Sequence, residues 1–367
     1  MVSTPGPRIK RQACASRARA EQRYRANTTA ERSAGAAGRM MRDMRIALVA
    51  AFALALTSLA GAQNPAPPPV AGPRPIPTSV WASKPTVTPG YRAGLVPWIK
   101  LADVKARHAG QAGWTDALFN DGRLMAAYVT AAPGARQSAR FHPDTREWFA
   151  VVEGEVRVTI EGQTPFVAAR GSLVNIPRQT VFSVETTGSV PSLRFVLSVA
   201  GAKTFYVDDT ATAPTEPPPP GTAWMHTTIN RTPGRYDEFN QPHLNIHEEG
   251  AKNDKYTGGR FVRDDKSEML VIYGYERNMP PLDVTDKGHF HAESAEAWLV
   301  FTGKIRYAFE GQPPFVASEG DVVYVPSNTW HATRFIGEAP SCRLSITEYV
   351  GNTLVLEPRP PDKPPGR

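Results

Sequence analysis

Residues 141–177 read FHPDTREWFAVVEGEVRVTIEGQTPFVAARGSLVNIP, and residues 290–326 read FHAESAEAWLVFTGKIRYAFEGQPPFVASEGDVVYVP; they align without a gap at a constant offset of 149. Phe141 falls on Phe290, His142 on His291, Glu147 on Glu296, Gly154 on Gly303, Gly171 on Gly320 and Pro177 on Pro326. A register held over that many glycines, prolines and charges marks a duplicated unit. Within each copy, runs of β-branched and aromatic residues (WFAVV, VRVTI, AWLVF, KIRYAF) alternate with turn signals at Glu153-Gly154, Glu161-Gly162, Thr302-Gly303 and Glu310-Gly311. Short strands at that spacing predict an all-β protein of barrels or sandwiches. The best helical segment lies near Ala102–Arg107.

Outward from the repeat, 367 residues are enough for two domains, and the 35 prolines cluster between and beyond them. The pattern divides the chain into an upstream extension and leader (1–62), a Pro-rich linker (63–85), a first barrel (86–212), a second Pro-rich linker (213–221), a second barrel (222–357) and a tail (358–367). In the leader, Arg42 and Arg45 precede the apolar run IALVAAFALAL and the small-residue site Ala60-Gly61-Ala62. This is the layout of a secretion signal, so cleavage is expected after Ala62 and the mature protein is expected in the periplasm or outside the cell, free of the membrane. The Arg/Ala/Ser-rich residues before it lack periodicity, and translation is expected to start at Met41 or Met44. Of the 42 Lys/Arg and 35 Asp/Glu, residues 1–62 hold 11 and 3, so the remainder is near neutral and argues against nucleic-acid binding. Removing the leader removes Cys14 and leaves Cys342 alone, which excludes an internal disulfide and a Cys-rich zinc site.

The second copy carries the chemistry. His289 and His291 are two apart, so a strand aims both imidazoles to one side. Glu296 adds a carboxylate from the same run, and His331, after the turn that follows Pro326, can close the set from a neighbouring strand. Three imidazoles and a carboxylate suit one divalent transition metal, Fe or Mn foremost, with Ni, Co, Cu or Zn open, and do not suit Mg or Ca. In an octahedral shell two positions stay open to ligands. The first copy lacks the set: Arg140 stands at the first histidine and Phe182 at the last, leaving His142 and Glu147. An arginine there is expected to pair with Glu147 so that the carboxylate is not buried alone. No spacing supports His243 or His247 as ligands.

These residues resemble the cupin superfamily, whose first motif is His-x-His, three or four residues, Glu, six residues, Gly, matched here from His289 to Gly303. Its second motif is Gly, five residues, Pro-x-Gly, two residues, His, matched from Gly320 to His331 with Asn328 in place of Gly; Asn tolerates positive φ, so the turn can persist. The resemblance covers both halves and implies a bicupin of two tandem double-stranded β-helix barrels, jelly-roll-like, with the metal motif intact only in the second. It also implies self-association into a homo-oligomer.

Three functions stay open because the superfamily hosts many reactions. The foremost is a metal-dependent oxidoreductase of the dioxygenase type on a small organic substrate, for which Phe290, Trp298, Phe301, Phe315, Trp330 and Phe335 could supply apolar walls. The second is a non-oxidative lyase, decarboxylase or isomerase on a carboxylate or sugar acid, which needs a general acid or base from Tyr307, Tyr324, Arg343 or Glu348. The third is a non-catalytic, metal-supported binding protein.

Overall fold

The computed structural model describes residues 90–207, 230–252 and 259–348, with the short stretches 79–80, 84, 214, 216–218, 222–226 and 354–356. The stretch read as a leader with its expected cleavage site, Cys14, the tail and most of both Pro-rich stretches lie outside the described residues. Among the described residues no helix is long and apolar enough to cross a membrane. All of them belong to one compact unit, Ile76–Arg367.

Four six-stranded sheets build two barrels. In the first barrel the larger sheet runs, in spatial order, His243–Asn245, Ser172–Ile176, Glu147–Glu153, Ser192–Val199, Leu124–Ala131, Trp114–Asn120. Its partner sheet runs Trp224–Met225, Thr204–Tyr206, Arg140–Phe141, Phe182–Thr186, Glu155–Ile160, Phe166–Ala169. The second barrel repeats this with Gly259–Arg263, Glu268–Gly274, Ser341–Thr347, Glu296–Thr302, Val322–Val325, Trp98–Ile99, and with Ser79–Val80, Leu354–Leu356, His289–Phe290, His331–Phe335, Lys304–Phe309, Phe315–Ser318. The fold is therefore the expected pair of β barrels. Two short helices, Leu101–Arg107 and Ile246–Lys252, flank them; the sequence signalled the first, and the second went unread.

The apolar runs are continuous because the larger sheets are buried on both faces. In Glu147–Glu153, Phe149 and Val151 point into the first barrel, whereas Trp148, Ala150 and Val152 point out into a second core. The other barrel follows suit: Trp298 and Val300 point inward, Ala297, Leu299 and Phe301 outward. The two outward faces share one core, which also holds Tyr128, Phe195, Leu344 and the free thiol of Cys342.

The barrels also exchange strands. Trp98–Ile99, ahead of the first barrel, pairs with Val323 and Val322 of the second. His243–Asn245, ahead of the second, pairs with Val174, Leu173 and Ser172 of the first. Each strand leads into a helix that lies on a glycine of the other barrel. A Cβ on Gly320 (φ +82) would come within 2.3 Å of Leu101 Cδ2, and one on Gly171 (φ +88) within 2.3 Å of His247 Cδ2. Arg170 and Glu319, equivalent positions of the two copies, meet at 3.1 Å, which places them on the pseudo-twofold axis. The exchange goes further: Ser79–Val80, in the stretch read as the first linker, runs parallel to Leu354–Val355 of the second barrel. Trp224–Met225, past the second proline block, pairs with Thr204–Phe205 of the first.

Candidate metal centre

The site begins with strand pairing. His289 faces His331 directly across antiparallel strands. Phe290 turns to the opposite side, buried edge-on against Trp330 at 4.9 Å, so His289 and His291 flank it on the inner face. Glu296 opens the next strand, and the turn before His331 is fixed by Asn328, which has the expected positive φ of 57° and donates its backbone N–H to His291 O at 2.7 Å. Gln179 holds the equivalent turn of the first copy at φ 59°, which the sequence did not suggest.

The four side chains converge. His289 Nε2 and His331 Nε2 are 3.1 Å apart, Glu296 Oε2 lies 2.7 Å from His291 Nε2 and 3.3 Å from His331 Nε2, and one donor atom from each residue lies within 4.8 Å of the others. Around an ion with bonds of about 2.1 Å, adjacent octahedral donors sit about 3.0 Å apart and opposed ones about 4.2 Å. The spacings fit. His331 Nδ1 lies 2.9 Å from Thr329 O, a contact that orients the ring with Nε2 turned inward. Burial, with His331 alongside, pushes His289 down to about 3, so it is a neutral donor at pH 7. Burial would raise Glu296, but the hydrogen bonds of His291 and His331 outweigh it and hold the carboxyl well below the usual range. Ser345 donates to the other carboxylate oxygen.

In the first barrel the same positions make an ion pair. Arg140 Nη2 meets Glu147 Oε1 at 2.8 Å, and His142 Nε2 meets Oε2 at 2.9 Å. The guanidinium lies 4.3 Å from the centre of the Phe182 ring, so the two substituted residues stack. The expected pairing is present.

The structure sorts the other candidates. Tyr307 and Arg343 reach the interior of the second barrel: the charge of Arg343 is felt at His289 and Glu296, and the Arg343 guanidinium lies 5.4 Å from the Phe335 ring. The Tyr307 hydroxyl is buried with no hydrogen-bond partner among the described residues, and burial raises its pKa. Tyr324 and Glu348 do not belong to the site. Tyr324 faces outward from its strand into the core between the barrels, and Glu348, just past the end of Ser341–Thr347, pairs with Arg123. Phe301 likewise lies in that outer core, and Phe315 stacks on Trp98 at 5.1 Å; neither walls the metal centre. Trp298 does, edge-on to His331 at 5.3 Å, joined by Phe309 at 6.3 Å. His243 contacts Ser172 Oγ at 3.0 Å within the exchanged strand, and neither it nor His247 enters the cluster.

Ser345, Thr329 and Phe309 escaped sequence reasoning. A signal for Ser345 existed: Arg343, Ser345 and Thr347 are polar residues at alternate positions of one strand, which marks a polar inner face.

Comparison with known proteins finds the same domain in both halves. The model of the cupin domain matches residues 127–199 and 276–347, segments again 149 apart at their starts. No curated protein matches. Among solved structures the chain is similar to a cupin 2 conserved barrel domain protein from Leptotrichia buccalis (13% identity, 68% of this chain and 95% of that one, TM-score 0.45). It is also similar to oxalate decarboxylase from Bacillus subtilis (16%, 74% and 78%, 0.44) and from Lactobacillus farciminis in its formate complex (15%, 75% and 91%, 0.45).

Proposed function

Because the chain is a bicupin with a full set of donors in its second barrel alone, we propose that it is a one-metal enzyme acting on a small organic anion by non-oxidative chemistry. The observation that carries this is Arg343, a cation whose buried Nε has no partner and whose charge reaches the donor cluster. A guanidinium in that position meets an anionic substrate such as a carboxylate. The metal, when bound, supplies Lewis-acid polarisation of the substrate oxygen. Tyr307, kept protonated by burial, holds a proton beside it and is the candidate general acid of a lyase, decarboxylase or isomerase. The apolar faces of Trp298 and Phe309 favour a second reading, an oxidoreductase that admits dioxygen at the same ion.

Metal analysis comes first, and one ion per chain, Fe or Mn, is expected. The metal-loaded protein is then offered small carboxylates without oxygen, and catechols and flavonols with oxygen uptake recorded. Anaerobic turnover of a carboxylate, with KM raised by Arg343→Met, is the expected result. Oxygen uptake without anaerobic turnover would establish the second reading, and two ions per chain would contradict both. We further propose that the mature chain begins near Gln63 in the periplasm or outside the cell. N-terminal sequencing of exported protein tests this, and an intact leader in a membrane fraction would refute it.

A further inference from the structure

The first barrel has lost its donor set but not its interior. A cavity of about 560 Å³ opens there between the two sheets. Val129, Ala131 and Val196 form its walls, and Arg140, Glu147 and Arg194 stand at its polar end. Of these charges, Glu147 is taken: Arg140 holds one oxygen and His142 the other. Glu216, at the rim, is taken as well, since its Oε1 accepts the backbone N–H of Ser138 at 2.6 Å.

Arg194 has nothing. It is 1% exposed, and among the described residues its side chain makes neither a hydrogen bond nor an ion pair. The Phe149 ring lies 5.4 Å from the guanidinium carbon. Burial lowers its pKa to about 10, which still leaves it cationic at neutral pH. The Glu147 charge reaches it, but that carboxylate is already held by Arg140 and His142, and the Arg140 cation opposes it. A buried cation with no ion pair of its own is among the most costly arrangements in a protein interior. An apolar residue of the same length would fill the space at no such cost. The position is the copy of Arg343, so both barrels carry an inward arginine on the same strand, one facing the donor cluster and one facing an apolar cavity.

We propose that the first barrel is a metal-free receptor for a small organic carboxylate, with Arg194 as the group that takes its charge. The bidentate guanidinium suits a carboxylate, and the apolar walls suit an organic body over a bare inorganic anion. The proposal does not depend on the reading of the second barrel.

Benzoate, benzamide and inorganic phosphate serve as probes, titrated calorimetrically into the metal-loaded full chain, wild type and the variants Arg194→Met and Arg343→Met. Benzoate is expected to bind. Arg194→Met should weaken it at least about tenfold, the loss of a charge-assisted hydrogen bond, whereas Arg343→Met should retain a benzoate site. Benzamide should bind as poorly as benzoate does to Arg194→Met. In the absence of probe, Arg194→Met should melt no lower than wild type, because it removes an unpaired buried charge. A lower melting temperature would make Arg194 a structural residue and overturn the proposal. So would benzoate binding abolished by Arg343→Met alone, equal binding of benzamide, phosphate binding without benzoate binding, or no benzoate binding at all.

Discussion

Glu147 and Glu296 hold the same position in the two copies and are both fully or nearly fully buried, but their neighbours give them different work. Around Glu296 stand three imidazoles that can share a metal cation with it; around Glu147 the cation is already present as Arg140. Glu296→Gln is therefore expected to abolish most metal binding, read by elemental analysis, while Glu147→Gln leaves metal content unchanged. The latter should still cost about 3–5 kcal/mol of stability, since it breaks a buried pair and strands the arginine; an unaltered denaturant midpoint would count against the pairing. The pH dependence follows from the same contact. Burial pushes Glu147 up, but Arg140 outweighs it and lowers the group from 4.5 to about 2. A depressed carboxyl stabilises the fold fully above its unfolded value and loses that contribution as pH falls through the folded value, here between about pH 4.5 and 2. Wild type should lose stability over that window more steeply than Glu147→Gln. The donor set itself was legible, because alternation along a strand puts His289 and His291 on one side and motif spacing brings in Glu296 and His331. What surrounds it was less so. Thr329 acts through its carbonyl, which any residue could offer, and Phe309 reaches His331 only through strand pairing between distant parts of the chain.

At the scale of elements, the exchanged strands decide what can be changed. Gly320 must stay glycine twice over, for its positive φ and for Leu101 above it. Gly320→Ala is expected to cost about 2–4 kcal/mol. Leu101→Ala in the same chain should recover the steric part but not the backbone part, so the two changes should couple in a double-mutant cycle. Strict additivity by chemical denaturation would show that the helix does not press on the glycine. The barrels' own strands could be read from composition and turns. The exchange could not: Trp98–Ile99 is two residues long, too short to show a period, and its partner lies more than two hundred residues away. The continuous apolar runs carried a hint, since a strand with no polar face has to be covered on both sides.

On the scale of the molecule, one shared core ties the barrels together, so heating should give a single cooperative transition by calorimetry, shifted upward by metal in wild type but not in His331→Ala. Two separated transitions would mean that the barrels melt independently. Cys342 offers a second readout, because its thiol is buried in that core and should react with a disulfide reagent only as fast as the core opens. The reciprocal strand exchange has a further consequence, for the history and engineering of the chain. What two halves do here within one polypeptide is what two identical subunits do in a swapped homodimer. A fragment from residue 222 onward keeps the donor strand His243–Asn245 and has an uncovered acceptor edge at Val322–Val323, the counterpart of the Leu173–Val174 edge that the donor normally covers. Released from its fellow, such a fragment should satisfy both ends by pairing with a second copy of itself. Light scattering should then find a dimer, and elemental analysis two metal ions in it where one is expected for the intact chain.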